Sequence, residues 1–369
     1  MSKLKMVFAC GGTSGHVNPA LAIAKSYQER HPEVEILFCG LETGIEAKLV
    51  KKAGFQFQAI HAAPLPRRLN RKFFSALATY RRGRSESLEI LRNFAADVVV
   101  GTGGYVCAPV LSAAKRLKIP RLIHEQNVFS GISNRLLGRG AELVCISFEK
   151  SRSSFKRAKR VLLTGNPVSP DLFDMKKEEA RKSLGIALKP GEKLVLATGG
   201  SLGARQINRA VTAWAKQREE KGNPDQIRII IAAGQRLYEE ASSEAAGISI
   251  LEVKDFLYNM PLHMAAADFI ISRAGALSCA EIAALSKAAL FVPYPYAVED
   301  HQSYNAQIFV DAGAGLMCRD ENLNVEYLAR ELESLLNQSE RLDTMARQAS
   351  TLAKRDALEK IVDGLETLV

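Results

Sequence analysis

The sequence predicts an α/β protein of two domains that face each other across a cleft. Three observations lead there. The chain has 369 residues, long for a single hydrophobic core. Short β-branched runs alternate with helical stretches, the signature of a parallel sheet covered by helices. And two glycine-rich turns, each directly after an apolar strand, stand about half a chain apart: Lys5–Cys10 into Gly11-Gly12-Thr13-Ser14-Gly15-His16, and Leu194–Thr198 into Gly199-Gly200-Ser201-Leu202-Gly203-Ala204. Glycines at a strand-to-helix turn let a ligand approach the backbone, and the helix that follows presents unpaired N–H groups to an anion. The pattern points to an enzyme joining two substrates, one of them a nucleotide diphosphate.

The first domain reads as 1–165, with strands at 4–10, 34–39, 97–101, 120–124, 143–147 and 161–164 and amphipathic segments at 19–30 and 106–117. Gly165-Asn166-Pro167-Val168 interrupts it, and a hinge is expected near Gly165–Pro170. The second domain reads as 166–349, with strands at 193–198, 227–232, 248–253, 268–272 and 289–293. From Val325 onward the composition is helical, and a last helix is expected at about 350–369.

The apolar content of 47% fits a globular chain, and no apolar run approaches the ~20 residues of a membrane span. The first apolar run ends at glycines and reads as a strand, not a signal peptide. Six cysteines (Cys10, Cys39, Cys107, Cys145, Cys279, Cys318) lie far apart without a CxxC pair, so buried thiols in a reducing compartment and no zinc site are expected. The net charge of +10 favours anionic partners. It is concentrated at Arg67, Arg68, Arg71, Lys72, Arg81, Arg82 and Arg84. On a helical wheel Phe73, Phe74, Leu77 and Tyr80 share one face beside those basic residues. That face either packs on the domain or enters an anionic membrane interface.

Gly11–His16 matches neither a P-loop nor a GxGxxG fingerprint, so on its own it is either a tight turn or an anion cradle. His16, at the opening of a helix, faces whatever that turn holds; it is either a structural hydrogen-bonding group or a general base. Ser272–Glu281 runs strand, Gly275, helix; its N-terminus suits a diphosphate, and Glu281 either lies exposed or accepts from ribose hydroxyls. His301 and Gln302 follow a proline-rich loop and suit sugar hydroxyls, whereas Asp300 is the common type of N-cap. His124-Glu125-Gln126-Asn127 and Gly103-Gly104-Tyr105 each follow a strand, where open α/β sheets bind ligands. There is no Asp-x-Asp pair, so no dedicated metal is expected.

Together these motifs resemble the MurG family, the N-acetylglucosaminyltransferases that convert lipid I to lipid II in peptidoglycan synthesis. The resemblance runs nearly end to end: GGTSGH, GGY at 103–105, HEQN at 124–127, GNPV at 165–168, GGSLGA at 199–204, Asn208, SRAGALSCAE at 272–281 and DHQSYNA at 300–306. It implies a GT-B fold, two Rossmann-like domains with parallel sheets facing across a deep cleft, with the nucleotide held mainly by the second domain and the last helix returning to the first. It implies an inverting transfer from UDP-GlcNAc to the C4 hydroxyl of the lipid-linked MurNAc-pentapeptide. The catalytic candidates are His16 and Glu125. For the donor the resemblance implies Thr13, Ser14, Gly15, His16, Asn127, Ser201, Phe256, Leu257, Glu281, His301 and Gln302. For the acceptor and its pyrophosphate it implies Gly11, Gly12, Gly15, Tyr105 and His124. Arg71, Lys72, Phe73, Phe74, Leu77, Tyr80 and Arg81 would form a membrane patch. Implied partners are UDP-GlcNAc, lipid I, an anionic membrane surface, and cell-wall synthesis and division proteins, with no nucleic acid and no cofactor. The implied location is the cytoplasmic face of the plasma membrane. Two positions depart from the family pattern: Ser169 stands where an arginine usually follows GNPV, and Ser14 replaces a glycine. A phosphate contact is then either lost or supplied by another residue, such as Arg205 or Arg273. A UDP-GlcNAc 2-epimerase, or a nucleic-acid binder, is the alternative class.

Overall fold

The computed structural model describes residues 3–66, 70–200, 202–222 and 226–369. The chain forms two compact units, Met1–Val168 with Asp356–Val369, and Ser169–Arg355.

The first unit runs β1 (Lys5–Cys10), α1 (Ser14–Arg30), β2 (Glu35–Gly40), α2 (Ile45–Lys52), β3 (Gln56–Ala59), α3 (Arg71–Phe94), β4 (Val98–Gly103), α4 (Cys107–Leu117), β5 (Arg121–Glu125), α5 (Ile132–Leu137), β6 (Leu143–Ile146) and β7 (Val161–Leu163). Its described strands make one parallel seven-stranded sheet, ordered β3-β2-β1-β4-β5-β6-β7. Strands buried on both faces need continuous apolar runs, and Met6–Cys10 and Val98–Val100 supply them.

The second unit runs α6 (Lys177–Leu184), β8 (Lys193–Thr198), α7 (Arg205–Glu220), β9 (Ile227–Ala232), α8 (Tyr238–Glu244), β10 (Leu251–Lys254), α9 (Met260–Ala266), β11 (Phe269–Ser272), α10 (Ala276–Ala284), β12 (Ala288–Phe291), α11 (His301–Asp311), β13 (Gly315–Met317), α12 (Val325–Leu336) and α13 (Ser339–Leu352). Its six described strands are ordered β10-β9-β8-β11-β12-β13, again parallel. Trp214 of α7 is fully buried in this core.

The last helix, α14 (Ala357–Glu366), belongs to the first unit. Leu358, Ile361, Val362 and Leu365 bury against α1 and β6, each contributing about 1.5–3 kcal/mol by apolar burial. Arg30 pairs with Asp363 at 2.6 Å and His31 with Glu366 at 2.9 Å at its rim.

Three elements differ from the sequence reading. α1 begins at Ser14 and not at 19: Pro19 sits inside the helix, buried against the core, at the cost of one backbone bond near the N-terminus. β3 and β13 are additional strands. One is an edge strand of alternating exposure and the other has only three residues, so neither carries an apolar run.

In each sheet the strand order reverses beside the first strand of the unit, between β1 and β4 and between β8 and β11. Open α/β sheets bind ligands at that switch point. The two glycine turns leave β1 and β8, so both occupy it.

Candidate active site

In the first unit, Thr13 is the extended residue before α1, and Ser14, Gly15 and His16 form the first helical turn. Gly12 is exposed with φ +86°. The His16 imidazole lies against the loop that ends β4. A Cβ at Gly103 would stand 2.6 Å from its Nδ1, and Gly103 has φ +117°. Thr102 Oγ1 donates to the His16 carbonyl at 2.7 Å. The Gly-Gly-Tyr motif is therefore the bed of the histidine, and only glycine fits there. Tyr105 is half-buried beside Gly12; burial, and then the charge of Glu46, push its phenol above the usual range.

His124 and Glu125 end β5 and turn inward. His124 is fully buried: Nε2 lies 3.1 Å from the Gly165 carbonyl and Nδ1 3.1 Å from Gln126 Nε2. Burial pushes it down to about 4, so the ring is neutral at physiological pH. With no exposed surface, His124 ties the HEQN loop to the GNPV segment. Glu125 is 1% exposed, and its carboxylate accepts from Asn127 N at 3.0 Å, Gly131 N at 3.2 Å and Asn134 Nδ2 at 2.9 Å. Burial raises its pKa against the pull of those bonds. Both oxygens are taken by the loop's own donors, which fits a loop organiser better than a base reaching a substrate. Asn127 stays half-exposed at the loop's start. Asn166 and Ser147 complete the network: Asn166 Nδ2 donates to Gln126 O at 3.2 Å, and Ser147 Oγ donates to Asn166 Oδ1 at 2.7 Å.

In the second unit, the glycine turn leads into α7. A Cβ at Gly203, φ +75°, would sit 1.9 Å from the Ala233 carbonyl, so this turn packs backbone on backbone. Asn208 is buried and donates to that same carbonyl at 3.1 Å. Ser201 lies outside the described residues. β11 leads through Gly275 into α10, which carries Glu281 in its second turn. Glu281 keeps part of its surface exposed, yet desolvation pushes its carboxyl up to about 7. Phe256 is half-buried with its ring edge-on to Tyr258, whereas Leu257 is buried. His301 and Gln302 open α11, both half-exposed; Gln302 Oε1 accepts from Tyr294 N at 2.9 Å, leaving its amide nitrogen for a ligand. Arg273 is held by the Val292 and Pro293 carbonyls and by Asp320, whereas Arg205 is an exposed residue paired with Glu240 at 3.1 Å.

The α3 patch divides. Ala76, Gly83, Ser87 and Leu91 form the packed face, and Phe73, Leu77 and Tyr80 line its edge, half-buried. Phe74 is 65% exposed, and Arg71, Lys72 and Arg81 are exposed around it. Of the two readings of that face, each holds for part of it: Ala76, Gly83, Ser87 and Leu91 adjoin Phe73, Leu77 and Tyr80 on the arc that packs on the domain, and Phe74 stands outside it. Arg67 and Arg68 lie outside the described residues. No described helix is long and apolar enough to cross a membrane. All six cysteines are buried free thiols.

Sequence reasoning missed Glu46, Asn134, Ser147 and the bedding role of Gly103. Glu46 follows Gly44-Ile45 in the first turn of α2, where a glutamate ordinarily signals a helix start and nothing more.

Residues 6–146 match the glycosyltransferase family 28 N-terminal domain and residues 194–361 its C-terminal domain. Paired with two Rossmann-like units, these matches define a GT-B glycosyltransferase. A UDP-N-acetylglucosamine–N-acetylmuramyl-(pentapeptide) pyrophosphoryl-undecaprenol N-acetylglucosamine transferase of Desulforamulus reducens is 39% identical over 99% of both chains. The crystal structure of Acinetobacter baumannii MurG is similar at TM-score 0.73 and 31% identity, covering 99% of both chains. The chain belongs to this MurG family of N-acetylglucosaminyltransferases. A putative UDP-N-acetylglucosamine 2-epimerase of Listeria monocytogenes has TM-score 0.74 at 14% identity, over 100% of this chain and 96% of its own, a likeness of fold alone.

Proposed function

We propose that the protein transfers GlcNAc from UDP-GlcNAc to the C4 hydroxyl of undecaprenyl-pyrophosphoryl-MurNAc-pentapeptide, lipid I, with inversion, giving lipid II. The observation that carries this is the 39% identity to a named lipid I transferase along 99% of the chain. Single displacement needs a base for the acceptor hydroxyl and charge stabilisation for departing UDP. His16 is the base in this reading: it stands in the first turn of α1 at the switch point, with its ring fixed by Gly103. Glu125 orders the neighbouring loop and presents Asn127.

The donor is assigned to the second unit. Glu281 accepts from the ribose, Phe256 and the backbone of Leu257 flank the uracil, and His301 and Gln302 bind the sugar. The α7 and α10 N-termini stabilise the leaving diphosphate. Arg205, at the start of α7 and exposed, replaces the arginine lacking at Ser169. The reading routes no step through a resident metal, since backbone amides and arginine supply the charge; activity in excess chelator tests that assignment. The enzyme binds the membrane peripherally at its cytoplasmic face through Phe74 and the basic residues around it.

The test is product analysis with UDP-GlcNAc and a short-chain lipid I analogue. A disaccharide with a β-linkage at C4 supports the reading; an α-linkage, or no disaccharide, contradicts it.

A further inference from the structure

The turn after β1 rests on a carboxylate that the proposed chemistry does not use. Glu46 is fully buried. Its Oε1 accepts from Leu41 N at 3.0 Å and its Oε2 from Gly12 N at 3.4 Å. Three glycines from three stretches of chain make room for it. A Cβ at Gly11 would stand 2.6 Å from Oε1, one at Gly40 2.6 Å from Cγ, and one at Gly44 2.3 Å from Cδ. A buried carboxyl held by two backbone amides is expensive, and an apolar side chain of that size would fill the same space at lower cost. The group reaches further than its own loop, since its charge is also felt by Tyr105. It underlies the β1 turn, and the Gly-Gly-Tyr loop that beds His16 packs on that turn, since a Cβ at Gly104 would run into the Gly11 carbonyl.

We propose that Glu46 is a positioning residue for the acceptor half of the reaction. Its carboxylate anchors the Gly11–Gly12 turn and, through that turn, the first helical turn that carries His16. Two anions do not share one N–H, so an acceptor pyrophosphate does not take the Gly12 amide while Glu46 holds it. It takes the amides of Ser14 and Gly15 at the opening of α1 instead. The inference rests on the proposed transferase reading, with the acceptor at this turn.

The test compares wild type with Glu46→Gln and Glu46→Asp in steady-state transfer to a short-chain lipid I analogue, with melting curves alongside. Glutamine keeps the shape but turns an NH2 toward one of the two backbone N–H groups, Gly12 or Leu41, that the carboxylate serves. The expected result is a fall in kcat of at least about tenfold or a matching rise in acceptor KM, with donor KM within about twofold. Melting stays cooperative. Wild-type kinetics in a folded variant overturn the proposal, as does an equal rise in both KM values. Should Glu46→Gln fail to fold, Glu46→Asp decides on the same criteria. Failure of both to fold reduces Glu46 to a purely structural group and also overturns it. Failure of the wild type to use the analogue counts against the transferase reading, not against Glu46.

Discussion

The His16 ring and Gly103 are in contact such that a Cβ on Gly103 would meet Nδ1 at 2.6 Å, at a backbone φ of +117°. The general-base candidate is thus oriented by a residue with no side chain. Gly103→Ala forces the ring aside and strains the strand end by roughly 1–3 kcal/mol. The expected outcome is a loss of about 10–100-fold in kcat in a protein that still melts cooperatively. Steady-state kinetics at saturating donor and acceptor check it. Unchanged turnover would separate the ring's position from catalysis.

Ionisation of Glu281 should be visible in donor binding. Its carboxyl is raised to about 7 by desolvation, and only the carboxylate accepts from both ribose hydroxyls. UDP affinity is expected to rise as pH increases through about 7, and Glu281→Gln to be weaker and flat. Calorimetric titration of UDP between pH 6 and 8 reads both. The same shift makes the raised acid a stabiliser of the fold at low pH, lost as pH climbs through about 7.

His124 acts in the opposite direction. Its folded value of about 4 lies below the ordinary ~6.5, so the unfolded chain binds the extra proton between those values. Stability from this group is fully present above about 6.5 and drains away as pH falls toward about 4, by roughly 3 kcal/mol. Urea melts at pH 7 and pH 5 on wild type and His124→Gln test it. The variant should lose much of the pH slope.

Arg205 and Arg273 should separate cleanly. The Arg205 side chain is 58% exposed, so Arg205→Ala is expected to raise donor KM by about tenfold and leave the melting temperature alone. Arg273 is 13% exposed and bonded to two carbonyls, so Arg273→Ala should cost about 1–3 kcal/mol of stability. Donor kinetics and melting of both variants decide which arginine serves the phosphates.

The proposed membrane contact turns on Phe74, exposed above its half-buried neighbours. Phe74→Ala should weaken binding to anionic vesicles about tenfold without changing stability, and Arg71→Ala with Arg81→Ala should weaken it in a salt-dependent way. Sedimentation with vesicles at two salt concentrations gives the answer; unchanged binding would move the contact elsewhere.

Most of the framework was legible because parallel sheets demand apolar runs and strand-end glycines, and both are plain in the sequence. Met6–Cys10 and Leu194–Thr198 announce their strands, and the turns after them mark the switch points. What was hidden depends on contacts between distant segments. Nothing local says that His124 faces inward to Gly165 or that Glu125 is spent on Asn134. A polar run at a strand end looks alike whether it points at a ligand or at its own loop. The wheel of α3 aligned its apolar residues but left open whether that face packs or meets a membrane; burial of Ala76 and Gly83 beside Phe73, Leu77 and Tyr80, with Phe74 exposed, divides it.

The most direct measurement is UDP release from UDP-GlcNAc by purified protein, with and without a short-chain lipid I analogue. Release that depends on the analogue, with a disaccharide of the right mass, is the predicted result. Isomerisation of the sugar nucleotide in the absence of acceptor, with no disaccharide when the analogue is added, would contradict it.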